Sequence, residues 1–535
     1  MGKGGGLNVG RSVSEAKGVN MKNKKVYLAM LASALVLSLI QPGCSSGSGG
    51  ADEGQALRDM LAEFDGYATQ AMQGWQVPGM AVAIVRGDEV IFQKVYGVKK
   101  MGGTEPVTVN TLFQIGSTSK AFTTALLAMD VSEGKYNWND KVIDHLPDFQ
   151  MFDPGVTSQF EVVDLSAQRS GMAANAADSS IVFGFGREHI RDVLRFIKPV
   201  SSFRTEFAYQ NNLFMVDAEL IENFSGKSWE DNIRERIFRP LGMVNSSTDK
   251  ASFVNAPDVV NTHHRIGEKI VMLPMDWPYM HWTYTYGPAG GINSNIIDMT
   301  KWVRFHFNNG DVDGQQLIKA ENAIFVHSPQ TIMPAAANQP RQYYCQGWVY
   351  REYSPYPIIW HNGGTSGCKT MVAFIPQAKL GVVVLSNLDD NLLPESLAWK
   401  FFDMYFGHVA RDWSAEGLEK AKKARADAEA NRPQPPLHPH PSLLLEKYTG
   451  TYYNPVYQGV HVDKQEDGLV VTLGPLQAQI FLRNWDGNTF MGSWYVYTEK
   501  EDVGFVTFKT NEVNVPLEMT IDYLNSDGCG VFEKI

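Results

Sequence analysis

Two runs rich in β-branched and aromatic residues, GMAVAIV at 79–85 and VIFQKVYGV at 90–98, are joined by Arg86-Gly87-Asp88-Glu89, and a Gly-Asp pair suits a tight hairpin. Runs of the same character return only as QGWVYRE, CKTMVAFIP and KLGVVVLSN, between 346 and 387. The intervening chain is helix-like at Ala121–Val131, His189–Phe196, Leu213–Phe224 and Ile296–Phe307. Strands at both ends of a helical middle predict an α+β fold. One antiparallel sheet is built from sequence-distant pieces and flanked by helices, with a helical subdomain inserted.

The ends of this region are marked by composition. Before it, Leu57, Met60, Leu61, Phe64 and Tyr67 keep helical spacing from about Ala51 to Gly74. The large domain closes after Trp399–Phe406, and Ala415–Ala430 then has strong helix propensity with few apolar residues, which predicts a solvated helix. PQPPLHPHP at 433–441 forces an extended, semi-rigid linker. Beyond it, GVHVDKQ, LVVTLG, AQIFLR, FVTFK and EMTIDYL alternate with Asp-Gly turns at 467–468, 486–487 and 527–528, predicting a small all-β barrel or sandwich.

At the N-terminus, the uncharged run Val26–Ile40 follows Lys22, Lys24 and Lys25. As a helix it rises about 22 Å, short of the roughly 30 Å hydrocarbon core, so it reads as a signal-peptide core. Cys44 after Gly43 resembles the lipidated cysteine of a bacterial lipoprotein; soluble secretion and an uncleaved anchor are the alternatives. The expected division is therefore 1–43 signal, 44–55 tether, 56–412 main domain, 413–441 linker and 442–535 barrel, with the protein exported to the cell envelope. The formal charge of −11 understates the acidity of the remainder, because residues 1–43 carry six bases and one acid. An acidic chain without long basic stretches argues against nucleic acid as partner. Four cysteines, at 44, 345, 368 and 529, exclude a disulfide scaffold and a CxxC metal site; Cys345–Cys368 is the nearer pair, and isolated buried thiols are the other reading.

HExxH and GxxxxGK[ST] are absent, and the histidines show no metal-ligand spacing. Ser117-Thr118-Ser119-Lys120 stands out by context, since S-x-x-K also occurs at Ser14, Ser132, Ser247 and Ser366. It follows an apolar stretch and Gly116 and precedes the buried-type helix Ala121–Met129, placing Ser117 at a helix N-terminus where developing negative charge is favoured. Lys120 falls on the same helix face, and desolvation there lets its amine accept the serine proton. Taken alone, Ser117 reads more readily as an ordinary N-cap and Lys120 as a solvated helix residue. Tyr209-Gln210-Asn211 supplies a tyrosine proton carrier and an orienting amide. His361-Asn362-Gly363-Gly364 supplies glycines that let a strand backbone approach a ligand and stabilise an oxyanion.

The order S-x-x-K, Y-x-N, H-x-G, with VPGMAVAIV, TLFQIGSTSKAFT, FIKPVSSFRTEFAYQNNLF, IFRPLGMVNSST, GPAGGINSNIIDMTKW and WHNGGTSG, resembles the class C β-lactamase-like, penicillin-recognising serine hydrolases from about Val77 to Asn387. The resemblance implies that Ser117 is the acylated nucleophile and that Lys120 and Tyr209 share the base and proton-return work. It further implies that Asn211 binds the substrate amide, and that the N–H groups of Ser117 and Gly364 form the oxyanion hole beside Gly363. His361 stands where the β-lactamases carry the lysine of K-T-G, as in the peptidase and esterase branches, and Gln210 replaces a smaller residue and is expected to narrow the site. Hydrolysis of an amide or ester is the expectation, with a class C-type β-lactamase or an inactive scaffold member as alternatives. The barrel resembles the lipocalin-like extension of some such hydrolases, where it can roof the active site or serve oligomerisation. A small-molecule or short peptide substrate is implied, with membrane attachment through the N-terminal lipid or anchor and a homo-oligomer left open. The chemistry needs no metal and no organic cofactor.

Overall fold

In the computed structural model of the protein, which describes residues 49–535 apart from 338, 467, 497 and 498, the two early β-rich runs form the hairpin that their Gly-Asp turn calls for. Strands β1 (Gly79–Arg86) and β2 (Glu89–Gly97) pair antiparallel, with Gly87 at φ +57° in the turn. The segment read as a signal peptide, residues 1–43, with Cys44 and the chain to 48, lies outside the described residues. Helix α1 (Gly49–Trp75) begins inside the stretch read as tether. The chain divides into units 1–59 and 60–535, and the packing below belongs to the second.

Six further strands complete the sheet: β3 (Thr331–Ile332), β4 (Gln342–Tyr344), β5 (Val349–Arg351), β6 (Ile358–Thr365), β7 (Cys368–Ile375) and β8 (Leu380–Ser386). Their order is β2-β1-β8-β7-β6-β5-β4-β3, antiparallel throughout, so the N-terminal hairpin pairs with the last strand, Ala83 opposite Val383. The run QGWVYRE yields only Val349–Arg351 as strand, because Gly347 at φ +68° breaks the extended backbone before it.

Helices α2 (Lys120–Glu133), α3 (Leu213–Ser225) and α4 (Ile296–Phe307) fall on the segments with helical periodicity, and α5 (Leu393–Tyr405) spans most of the segment that closes the domain. Along β1, side chains alternate between two cores. Met80, Val82 and Ile84 join Phe64, Trp75, Leu397 and Phe401, while Ala81, Ala83 and Val85 join Phe122, Met299, Trp302 and Val303. Helices on both faces explain why β1 and β8 lack the polar alternation usual in antiparallel strands. Between α2 and α4, Phe122 stacks on Trp302 with centroids 3.6 Å apart and planes 9° apart. Both rings are fully buried.

After α5, helix α6 (Trp413–Ala430) is largely exposed, as its composition requires, and the proline segment runs irregularly to the barrel. Strands β9 (Gly450–Asn454), β10 (Gln458–Gln465), β11 (Gly468–Leu473), β12 (Ala478–Asp486), β13 (Thr489–Val496), β14 (Glu499–Thr510), β15 (Pro516–Ile521) and β16 (Val531–Lys534) form a closed antiparallel barrel. Tyr452, Val462, Val471, Phe490, Phe508 and Phe532 are buried in it. Cys345, Cys368 and Cys529 are buried free thiols, so Cys345 and Cys368 are not bridged.

The barrel docks on the helical subdomain. The Leu476 N–H donates to Phe183 O at 3.1 Å, the Ala177 N–H donates to Asp527 Oδ2 at 2.6 Å, and His189 Nε2 lies 2.8 Å from Val456 O. Gly474, at φ +69°, has no room for a Cβ, which would lie 2.4 Å from Phe183 O.

Trp302→Ala removes the larger partner of the stack at a site walled by a helix and a sheet that cannot collapse. It is expected to lower unfolding stability by about 3–5 kcal/mol, read from the urea midpoint at unchanged slope.

Candidate active site

The chain enters the site on the extended pair Phe113–Gln114, turns at Gly116 and continues through a 3₁₀ turn (Gly116–Ser119) into α2. Gly116 has φ +54°, and a Cβ there would sit 2.5 Å from Gly364 N and 2.7 Å from Gly364 O. A Cβ on Gly363 would sit 1.8 Å from Ile115 O. These two glycines let the serine turn press against strand β6 backbone to backbone, which brings the Ser117 and Gly364 segments together. Thr370 Oγ1 donates to Ile115 O at 2.8 Å and Ser119 Oγ accepts from the Ile292 N–H at 3.1 Å, fixing the turn from two sides. Ser117 is partly exposed while its neighbours from Thr111 to Lys120 are buried, and Gly364 is exposed.

Lys120 is fully buried. Its Nζ donates to Ser117 Oγ at 3.2 Å, to Asn211 Oδ1 at 2.6 Å and to Ala289 O at 3.0 Å, and lies 4.8 Å from the Tyr209 ring centre. Burial pulls its pKa down to about 7, against the pull of the Asp178 carboxylate, so near neutral pH a large share of the amine is unprotonated and able to accept a proton. Burial pushes the Tyr209 hydroxyl well above its usual range, opposed by a hydrogen bond with Ser117, so Tyr209 acts there as a neutral hydroxyl.

His361 on β6 is buried, with Nε2 3.1 Å from the Tyr344 hydroxyl and Nδ1 against Asn362 O. Burial above all, with Lys120 and Lys369 adding repulsion, pulls its pKa down to about 3, so the ring is neutral. The site thus gathers Ser117, Lys120, Tyr209, Asn211, His361, Gly363 and Gly364 from the 3₁₀ turn and first residue of α2, the segment before α3, and β6. Gln210 does not narrow it: its side chain is buried and turned inward to donate to Ala173 O, and its own N–H donates to Gln168 Oε1.

Asp178 was not singled out by the sequence. Asn211 Nδ2 donates to Asp178 Oδ2 at 2.6 Å and the Tyr286 hydroxyl donates to Asp178 Oδ1 at 2.9 Å. Asn211 therefore stands between Lys120 and Asp178 with both ends of its amide engaged. Burial raises the Asp178 pKa to about 6; Asn211, Tyr286 and Lys120 oppose the rise, and Asp527 of the barrel adds to it. No local motif marks Asp178, because its contacts come from segments remote in sequence; the sign available was an acid in an otherwise small and apolar stretch, GMAANAADSS.

The sequence family described as Beta-lactamase matches residues 64–401, and one described as Domain of unknown function (DUF3471) matches residues 434–528. The unguisins hydrolase ungD' of Aspergillus campestris is 29% identical over 441 residues, which cover 76% of this chain and 78% of that protein. Protein flp of Staphylococcus aureus (strain COL) is 22% identical over 344 residues, covering 63% and 65%. An octameric penicillin-binding protein homologue from Pyrococcus abyssi shares the fold with a TM-score of 0.57 at 18% identity, covering 86% of this chain and 97% of that one.

The Lys120–Asp178 pairing has a measurable sign. Reactivity of Ser117 toward a fluorophosphonate is expected to rise with pH through about 7, as Lys120 loses its proton. Asp178→Asn removes the charge that holds that proton and moves the rise to lower pH; adduct formation rate against pH reads the shift.

Proposed function

The chain belongs to the beta-lactamase family of serine hydrolases, and we propose that it cleaves an amide or ester of a small molecule or short peptide through an acyl-enzyme on Ser117. The observation that carries this reading is a fully buried lysine, its pKa drawn down to about 7, with Nζ 3.2 Å from the serine hydroxyl. Neutral Lys120 takes the Ser117 proton as Oγ attacks the substrate carbonyl. The tetrahedral oxyanion is held by the N–H groups of Ser117, in the turn that leads into α2, and of Gly364 on β6. Lys120, through the Tyr209 hydroxyl, returns the proton to the leaving amine or alcohol, and the acyl-ester forms. Water, deprotonated by the same pair, then releases the acid and restores Ser117.

His361 favours the peptidase or esterase branch over β-lactam turnover. A neutral, buried imidazole offers a substrate carboxylate no fixed positive charge. The hydrolase names of relatives such as the unguisins hydrolase support an active enzyme over an inactive scaffold. With a fluorophosphonate probe, the purified protein is expected to form an adduct that Ser117→Ala abolishes, and a fluorescent penicillin is expected to give little or no turnover. Absence of any Ser117-dependent adduct with either probe would sink the enzyme reading. Ser117→Ala is also expected to lower kcat on any substrate found by at least about 10³-fold.

We propose further that the enzyme is exported and anchored through Cys44, on the strength of the basic residues and apolar run before it. Metabolic labelling with a palmitate analogue in a bacterial host is expected to tag the wild type and not Cys44→Ala; equal labelling of both would end that proposal. The octameric state of the Pyrococcus abyssi homologue makes a homo-oligomer the matching reading of assembly here.

A further inference from the structure

A cavity of about 360 Å³ lies where the barrel meets the hydrolase domain, within the size range of sites that hold small ligands. Its walls are aromatic from both sides. Trp277, Tyr279 and Trp282 come from the hydrolase, and Trp494, Tyr495 and Tyr523 from the barrel. Tyr279 of the hydrolase and Trp494 of the barrel have centroids 6.0 Å apart, and Trp494 in turn lies 5.4 Å from Tyr523 within the barrel, so one ring pair spans the junction beside the space.

Three wall segments also carry groups of the active site. Ser366 lies two residues beyond Gly364 at the end of β6, roughly 7 Å along an extended chain, and its Oγ accepts from Trp282 Nε1 at 3.1 Å. Trp282 belongs to the short helix His281–Thr285, which runs into the turn whose Ala289 O accepts from Lys120. Val182 closes the turn of helix that starts just after Asp178.

The charged lining is two carboxylates and one histidine, His264. Glu501 and Asp502 of β14 border the space, and the basic groups nearest them stand off at 3.9 Å: His264 Nε2 from Glu501 and Arg432 from Asp502. His264 is itself engaged by Asp389, with Nδ1 2.6 Å from Oδ2. Two carboxylates with loosely held partners beside a cluster of aromatic faces match a ligand with both a flat ring and a cationic amine.

We propose that this cavity is a substrate-specificity subsite of the hydrolase, which accepts an aromatic side chain adjoining an ammonium group, as in an aromatic amino-acid unit with a free or basic amine. The barrel then takes part in substrate selection by supplying half of the subsite. The proposal rests on the hydrolase reading above, and the experiment separates the two.

Tryptamine is titrated into the full-length protein by calorimetry, with indole-3-acetate as the counterpart of opposite charge. Tryptamine is expected to bind saturably at one site, and indole-3-acetate at least about tenfold more weakly, because its carboxylate meets Glu501 and Asp502. Trp494→Ala is expected to weaken tryptamine by about tenfold. The pair Glu501→Gln with Asp502→Asn, which preserves shape, is expected to weaken tryptamine similarly and to erase its advantage over indole-3-acetate; it decides the matter should Trp494→Ala fail to fold. Saturating tryptamine is also expected to slow phosphonylation of Ser117 by a long-armed fluorophosphonate at least about twofold in the wild type and in neither variant. No saturable tryptamine binding, binding indifferent to the double variant, or binding that leaves the labelling of Ser117 unchanged would each overturn the subsite. Labelling of Ser117 without tryptamine reports on the hydrolase reading alone, so either reading can fail while the other stands.

Discussion

The site depends on keeping one amine out of water. Lys120 is fully buried at the first position of α2, and its charged form is costly there because, unlike the buried Asp130 further along the helix, it has no direct ion-pair partner among the described residues. The surroundings meet its donors with three acceptors, Ser117 Oγ, Asn211 Oδ1 and Ala289 O, and add a distant carboxylate in Asp178. Fewer acceptors would leave a buried donor unpaired, and a closer carboxylate would hold the proton permanently. The arrangement between these limits keeps the amine near neutrality and within reach of the serine.

Such a balance needs a rigid frame. The serine turn is clamped against β6 by two glycines with no room for a Cβ, and β6 belongs to a sheet whose two faces are both covered by helices. A sheet packed on both faces cannot slide without exposing one core, so the spacing between Ser117 and the Gly364 backbone is set by the interior of the domain. His361, from the same strand, is held under the Tyr344 hydroxyl as a neutral ring.

The barrel reaches this frame through the helical subdomain. Asp527 accepts from the Ala177 N–H, one residue before the carboxylate that holds Asn211, and its own charge raises the Asp178 pKa. The C-terminal domain therefore bears on the electrostatics of the serine site through the Asp527 charge, besides the aromatic wall it places near the end of β6.

The hairpin, the helices at Leu213–Ser225 and Ile296–Phe307, the solvated helix after the main domain and most barrel strands were legible in the chain, because hydrophobic period and turn residues act over a few neighbours. Ser117 and Lys120 were legible for the same reason: three residues on one helix turn fix their proximity. Strands β3 and β4 were not, since short or edge segments owe their extension to the strand beside them, nor was β13, where a register shift at Gly492 and Ser493 interrupts the strand pattern. Gln210 read as an obstruction, because bulk is visible in a sequence and the direction of a side chain is not. Sequence by itself determined the sheet-and-helix architecture, the barrel and the pairing of serine with lysine. Only the tertiary structure decided that Asn211 bridges Lys120 to Asp178, that His361 is buried and neutral, and that the barrel meets the hydrolase around an aromatic cavity. These depend on desolvation and on contacts between segments far apart in the chain, which no local pattern encodes.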